Sequence, residues 1–166
     1  MNVYLVQHAE AKKEAEDPSR PLSEKGLREI RGTASQMSKM NIRIEKVFHS
    51  PKLRAKQTAK ILSEFLVPAK GLSEIDGLSP MDSPDIWAAR LGDMPGDIML
   101  VGHLPHMGRL ASLLLCGDAE KNMISFQMAG VVCLKGDETG RWLIGWMLTP
   151  EMVVSEERWA GPCDGL

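Results

Sequence analysis

The sequence predicts an α/β fold, with a mainly parallel β-sheet covered by helices on both faces. Three observations carry that expectation. Short strand-like segments recur at residues 3–6, 45–49 and 98–101, the first and last strongly apolar, as in strands buried on both sides. Between them, apolar residues repeat at helical spacing, beginning with Leu27, Ile30, Ala34 and Met37. Strand and helix therefore alternate, which is the pattern of a parallel sheet with helical crossovers.

Taken in order, Val3-Tyr4-Leu5-Val6 is the first strand. The polar stretch from Glu10 to Arg20 reads as an exposed loop, and the first helix follows Pro21. The second strand ends at His49. Ser50-Pro51 then gives a helix-start signal, with serine as N-cap and proline at the first helical position, where its missing N–H costs nothing. Ile61, Leu62, Phe65 and Leu66 continue that helix until Val67-Pro68 ends it. Ser83-Pro84 repeats the signal for a third helix through Leu91. Gly96-Asp97 leads into the strongest core strand, 98–101, and Leu110, Leu113 and Leu114 mark a fourth helix ending near Gly117. Two further strands, 130–134 and 142–148, flank a turn containing Gly136 and Gly140. Residues 1–150 read as one domain and 151–166 as a polar C-terminal tail. Trp142, Trp146 and the methionines read as packing residues.

The chain has 166 residues, 43% hydrophobic and 25% charged, an ordinary globular balance. A chain of this size buries a core without disulfides or a structural metal. Its formal net charge of -2 argues against a broad nucleic-acid-binding face. Cys116, Cys133 and Cys163 are odd in number and lack CxxC spacing, which fits free thiols in a reducing compartment and not a zinc site. No apolar run approaches the roughly 18 residues of a membrane span, and residues 3–6 are too short for a signal-peptide core. The expectation is a cytoplasmic protein with neither membrane nor nucleic acid as partner.

Ligands of such sheets bind at the carboxyl ends of the strands. Three polar clusters fall there. Gln7 and His8 end the first strand, Ser50 and Arg54 follow the second, and Gly102 and His103 follow the strand at 98–101. Two of the clusters open helices, whose N-terminal N–H groups attract anions. Arg54 adds a forked guanidinium, so the expected ligand is phosphate. Read singly, each residue has a plainer explanation: His8 as a structural histidine, Arg54 as a surface helix residue, His103 and Ser50 as helix caps, Arg20 as a loop tie. His49 and His106 read as structural or rim residues.

Together, however, the segments match a known pattern. Gln7-His8-Ala9-Glu10-Ala11 resembles the Arg-His-Gly signature of the histidine phosphatase superfamily. Ser50-Pro51-Lys52-Leu53-Arg54-Ala55-Lys56-Gln57-Thr58-Ala59 resembles its Ser-Pro-x-x-Arg-Ala-x-Gln-Thr block, and Val101-Gly102-His103-Leu104-Pro105 its third signature. Arg20-Pro21-Leu22-Ser23-Glu24-Lys25-Gly26 is similar to an Arg-Pro-Leu-Thr-x-x-Gly element of the compact SixA-type protein-phosphohistidine phosphatases. The likeness runs in order from Met1 to about Pro150.

The resemblance implies a phosphoglycerate mutase-like, three-layer αβα fold and a phosphatase that needs no metal or cofactor. His8 would be the nucleophile, forming a phosphohistidine that water hydrolyses. Arg54 and His103 would hold the phosphoryl oxygens, with Gln7, Arg20, Ser50 and Gly102 completing the phosphate site. The implied substrate is phosphohistidine on a protein, such as a phosphotransfer domain of a signalling relay. A small phosphate ester is the alternative, and a phosphate-binding pseudo-phosphatase the third. Gln7 stands where the signature has arginine, and Ala9 where it has glycine. Losing one charge-assisted contact costs roughly 1.5–3 kcal/mol, which slows a reaction by roughly ten- to hundredfold; Arg20 or Lys12 are candidates to compensate. Glu74 and Asp76 are the candidate general acids. Imidazole leaves far more easily than an alcohol, so a phosphohistidine substrate needs such an acid least.

Overall fold

The computed structural model describes residues 1–153. Its strands are β1 (Asn2–Gln7), β2 (Lys46–His49), β3 (Leu72–Glu74), β4 (Ile98–Gly102), β5 (Val131–Gly136) and β6 (Trp142–Leu148). Its α-helices are α1 (Glu24–Lys39), α2 (Leu53–Leu66), α3 (Pro84–Leu91) and α4 (His106–Cys116). Among the described residues the strands form one six-stranded sheet in the order β3-β2-β4-β1-β5-β6.

Alternation along the strands sorts the core into two layers. Tyr4 and Val6 of β1 face a cluster with Ile30, Ala34 and Met37 of α1 and Ala55, Ala59 and Leu62 of α2. Val3 and Leu5 face the opposite cluster, with Trp87 and Leu91 of α3 and Met107 and Leu110 of α4. This is the expected three-layer αβα arrangement, because a strand buried on both faces must be covered on both. Trp146 packs on the first side, its ring 5.8 Å from Tyr4, and Trp142 packs on the second.

The sheet is more mixed than expected. Strands β1, β4, β2 and β3 pair in parallel, whereas β5 and β6 are antiparallel to each other and β5 to β1. For β5 and β6 the physical reason is the short turn between Gly136 and Trp142, since a connection of that length joins only antiparallel strands. The three-residue β3, half exposed at the sheet edge, is an addition to the expected elements.

Helix boundaries follow local chemistry with one correction. Ser23 caps α1 by accepting from the Gly26 N–H, and Ser83 caps α3 with Pro84 in its first turn. Gly117 closes α4 in the left-handed conformation, as glycine does without strain. Ser50, however, does not cap α2: the cap position is Lys52, without a side-chain hydrogen bond. Ser50 instead extends the β2 edge, its N–H donating to the Val101 carbonyl at 3.0 Å.

The start of α1 is clamped onto the loop that follows β1. The Ser23 N–H donates to the Glu10 carbonyl at 2.9 Å, and the Ser23 hydroxyl to the Glu10 carboxylate at 2.8 Å. Gly26 sits directly over that carbonyl, where a Cβ would collide with the oxygen. Of the expected tail, Pro150–Met152 make a single 3-10 turn and Val153 packs against the α1–α2 side. The rest of 151–166, with Cys163, lies outside the described residues, and no helix among those described is long and apolar enough to cross a membrane.

We expect Gly26→Ala to destabilise the fold by about 1–3 kcal/mol, because backbone cannot yield as a side chain can. Chemical denaturation checks this; an unchanged midpoint would show that the clamp relaxes freely.

Candidate active site

Parallel pairing levels the strand ends. Gln7 lies opposite Gly102, and His49 opposite Val101. The His8 N–H donates to the Gly102 carbonyl at 3.0 Å, so the ladder runs into the loop. His8, His103 and Ser50 therefore leave three adjacent strands at one level. All three are buried, with His8 8% exposed and His103 2%. The two imidazole rings lie 4.9 Å apart at an angle of 58°.

Two contacts define the state of His8. Its Nδ1 lies 2.7 Å from the Ala9 carbonyl, which can only accept, so Nδ1 carries the proton. The Arg54 Nε–H donates to His8 Nε2 at 3.2 Å, which requires a lone pair there. Both contacts demand the same neutral tautomer. Burial favours it further, pushing the His8 pKa down to about 4; the Ala9 hydrogen bond opposes the shift, and the charges of Arg54 and Arg20 add to it. At neutral pH, Nε2 is an unprotonated nitrogen facing a guanidinium.

His103 is set from the other side. Its Nε2 lies 2.8 Å from the Ser50 hydroxyl, whose oxygen also receives the Lys52 N–H at 3.4 Å. Its Nδ1 is buried without a partner. If Nε2 carried the proton, both the Ser50 hydroxyl hydrogen and Nδ1 would go unpaired. With the proton on Nδ1, serine donates to Nε2 and a single N–H is left over. Buried orphans are costly, so the second arrangement is preferred. Burial first, then the neighbouring His8, Arg54, Lys52 and His106, push the His103 pKa down to about 3.

Arg54 projects from the first turn of α2, and burial and the charge of Arg20 lower its pKa, although a guanidinium stays protonated. Thr58, one turn further, is fully buried. Its hydroxyl donates to the Arg54 carbonyl at 2.7 Å and accepts the Ala9 N–H at 3.0 Å, tying the loop that fixes His8 to the turn that carries Arg54. The adjacent Gln57 accepts the Leu22 N–H at 2.7 Å, anchoring the segment after Arg20. Both residues stand in the quoted Gln-Thr block, but their positioning contacts span 49 and 35 residues and have no local signal.

The remaining expected residues fall as follows. The Gln7 side chain is buried at the strand end, with Oε1 unpaired. Gly102 has its carbonyl committed to His8, and a Cβ there would meet Met107 and the Leu78 carbonyl. Arg20 lines a cleft with Lys52 and Arg54. Asp76 is paired with Arg90 at 3.0 Å, and Glu74 ends β3 in solvent. His49 donates from Nδ1 to the Ser50 carbonyl and His106 to the Asp82 carbonyl, both structural contacts. The described residues contain no group of three or more side chains suited to holding a metal ion.

Comparison with known proteins identifies the family of this fold. The family model of the histidine phosphatase superfamily (branch 1) matches residues 3–81, which include His8, Arg20, Ser50 and Arg54. An uncharacterized protein of Picosynechococcus sp. is 31% identical over 143 residues, 81% of this chain and 85% of that protein. The chain belongs to the histidine phosphatase superfamily. Within it, the chain is similar to phosphohistidine phosphatase SixA of Escherichia coli (strain K12), 27% identical over 155 residues that cover 90% of this chain and 94% of that one. A solved structure of protein histidine phosphatase SixA complexed with tungstate has a TM-score of 0.80 at 26% identity, over 90% of this chain and 97% of the other. The alpha-ribazole phosphatase from Shigella flexneri, at 12% identity and a TM-score of 0.75, shares the fold.

Two outcomes follow from the geometry. His8 and His103 should stay neutral throughout pH 5–8 and take up protons only as pH falls through about 4 and about 3. Ring carbon and nitrogen NMR shifts report this, and a His8 midpoint near 6.5 would contradict the burial argument. Thr58→Val should cost about 1–3 kcal/mol of stability by orphaning the Ala9 N–H and should lower kcat more than KM. Thr58→Ser, which restores the hydroxyl, should recover both.

Proposed function

We propose that this protein is a cytoplasmic phosphohistidine phosphatase that hydrolyses a phosphoryl group from a protein histidine through a covalent intermediate on His8. The observation that carries the reading is the doubly determined tautomer of His8: proton on Nδ1 at the Ala9 carbonyl, lone pair on Nε2. In the first step Nε2 attacks phosphorus in line, the bond from phosphorus to the substrate imidazole breaks, and that imidazole takes a proton from water, leaving a hydroxide that the phosphate released in the second step neutralises. In the second step water attacks phospho-His8, releasing inorganic phosphate and restoring the lone pair. One hard displacement becomes two easier ones.

Arg54 turns its guanidinium from Nε2 to a phosphoryl oxygen as the substrate enters, and the unpaired Nδ1–H of His103 supplies a second donor. Ser50 serves the site by holding His103, Gln7 offers an amide without a charge, and Arg20 brings a cation to the mouth. Gly102 keeps the strand end close to Leu78 and Met107 while its carbonyl seats His8. The site works with protein groups alone. The similarity to SixA supports a phosphohistidine substrate, as does the chemistry of the leaving group. Asp76 is engaged with Arg90, and imidazole needs little help from an acid to leave. The partner would be a phosphorylated histidine-containing protein, such as a phosphotransfer domain in signalling.

Incubation with such a protein labelled on phosphorus should yield an acid-labile phosphoenzyme, lost in His8→Ala. Equal or faster turnover of sugar or nucleotide phosphates would assign a small-ester phosphatase instead. Gln7→Arg should raise kcat/KM by roughly ten- to hundredfold, the value of one charge-assisted contact. Phosphate binding without phosphoenzyme or turnover, reversed by Gln7→Arg, would identify a silenced enzyme.

A further inference from the structure

We propose that the cleft beside the phosphoryl centre is a second anion-binding subsite built on Arg20 and Lys52, so that the preferred substrate carries another negative group next to its phosphoryl group. The inference rests on the phosphoryl-centre reading above and specifies the substrate class that this centre accepts.

The cleft encloses about 310 Å³ between the loop after β1 and the first turn of α2. Its walls include Arg20, Lys52 and Arg54 but not His8, His103 or Gln7, so it is a space adjoining the nucleophile that shares Arg54 with it. Three cations face it against one carboxylate, Glu14. None of the three makes an ion pair among the described residues. Lys52 and Arg54 stand two residues apart at the start of α2, and Arg20 lines the same cleft from the loop after β1. Three cations outweigh the one carboxylate; the excess like charges repel, and a bound anion relieves that repulsion.

The local structure holds these cations at the cleft. Helix α2 opens at this cleft with no side-chain cap and no acidic residue in its first turn; the Ala55 N–H is taken by the Lys52 carbonyl, which leaves the N–H groups of Leu53 and Arg54 and the partial positive charge for a ligand. Arg20 is also held in place: its Nε–H donates to the Lys12 carbonyl at 3.3 Å, its N–H to the Asp17 carbonyl at 2.9 Å, and Gln57 anchors the chain two residues on. Its backbone sits in the left-handed region, at a φ of 49°, a conformation that non-glycine residues adopt at a cost. Lys52 occupies a position that the Ser-Pro-x-x-Arg block leaves open.

The ligand chemistry is a phosphoryl group with a carboxylate or second phosphoryl group beside it. Either a small diacid or an acidic side chain next to a phosphohistidine supplies it. Calorimetric titration of the wild-type chain with phosphonoacetate and with methylphosphonate compares two anionic groups with one. Phosphonoacetate should bind about tenfold tighter. In Lys52→Gln that advantage should fall to near unity, with methylphosphonate affinity within about twofold of wild type. Phosphohistidine peptides with Asp or Asn beside the histidine then separate the sources: a wild-type preference for Asp that Lys52→Gln removes assigns the subsite to protein substrates, and its absence to small diacids. Equal binding of the two phosphonates by wild type overturns the subsite while leaving the phosphoryl centre intact. So does equal weakening of both in Lys52→Gln, which would make Lys52 a ligand of the phosphoryl group itself. Failure of wild type to bind either phosphonate would instead sink the phosphoryl-centre reading.

Discussion

The hydrogen bond from His8 Nδ1 to the carbonyl of the next residue organises this molecule. It is local, 2.7 Å long and buried, and it converts a titratable ring into a fixed donor on one edge and a fixed lone pair on the other. It holds only if the Ala9 peptide is itself immobile, and much of the surrounding structure secures that peptide. Thr58 receives the Ala9 N–H, the His8 N–H is caught by the β4 carbonyl of Gly102, and the start of α1 grips the carbonyl of Glu10. Elements from three parts of the chain converge on three successive residues, His8 to Glu10.

That convergence gives the quoted signature blocks a physical meaning. A glutamine and a threonine side by side on α2 look like interchangeable polar residues, yet they face different segments. Gln57 takes the N–H after Arg20 and Thr58 takes the N–H after His8. One turn of helix thereby sets the spacing between the His8 loop, the Arg20 loop and Arg54. The charge balance is unusual in the same region: Gln7 brings no cation to the strand end, while Lys52 and Arg20 bring two to the adjoining cleft.

Much of this was legible in the sequence, for identifiable reasons. The uninterrupted apolar runs of β1 and β4 leave no reading except burial on both faces, and His8 and His103 follow them at once. The edge strand β3 was not legible, because half-buried Leu72 and Ser73 and exposed Glu74 carry no period; it exists by pairing with β2. Ser50 was misread because Ser-Pro signals a cap whenever only neighbours are considered. Its actual partners, the Val101 carbonyl and His103, lie 51 and 53 residues away. Lys52 went unremarked for a different reason: a lysine at an open motif position gains significance only when Arg20 is folded against the same cleft.

The contact between Arg54 and His8 Nε2 has a consequence for chemical selectivity. The Nε2 lone pair of His8 is already engaged as a hydrogen-bond acceptor, on a residue that is almost wholly buried. An uncharged electrophile offers Arg54 no reason to leave, so reagents that modify ordinary histidines meet a shielded nitrogen. In the proposed reaction a phosphoryl group would draw the guanidinium onto its own oxygens and uncover the nitrogen in the same motion. Under that proposal reactivity is conditional on the charge of what arrives, and the guard and the receptor are one side chain.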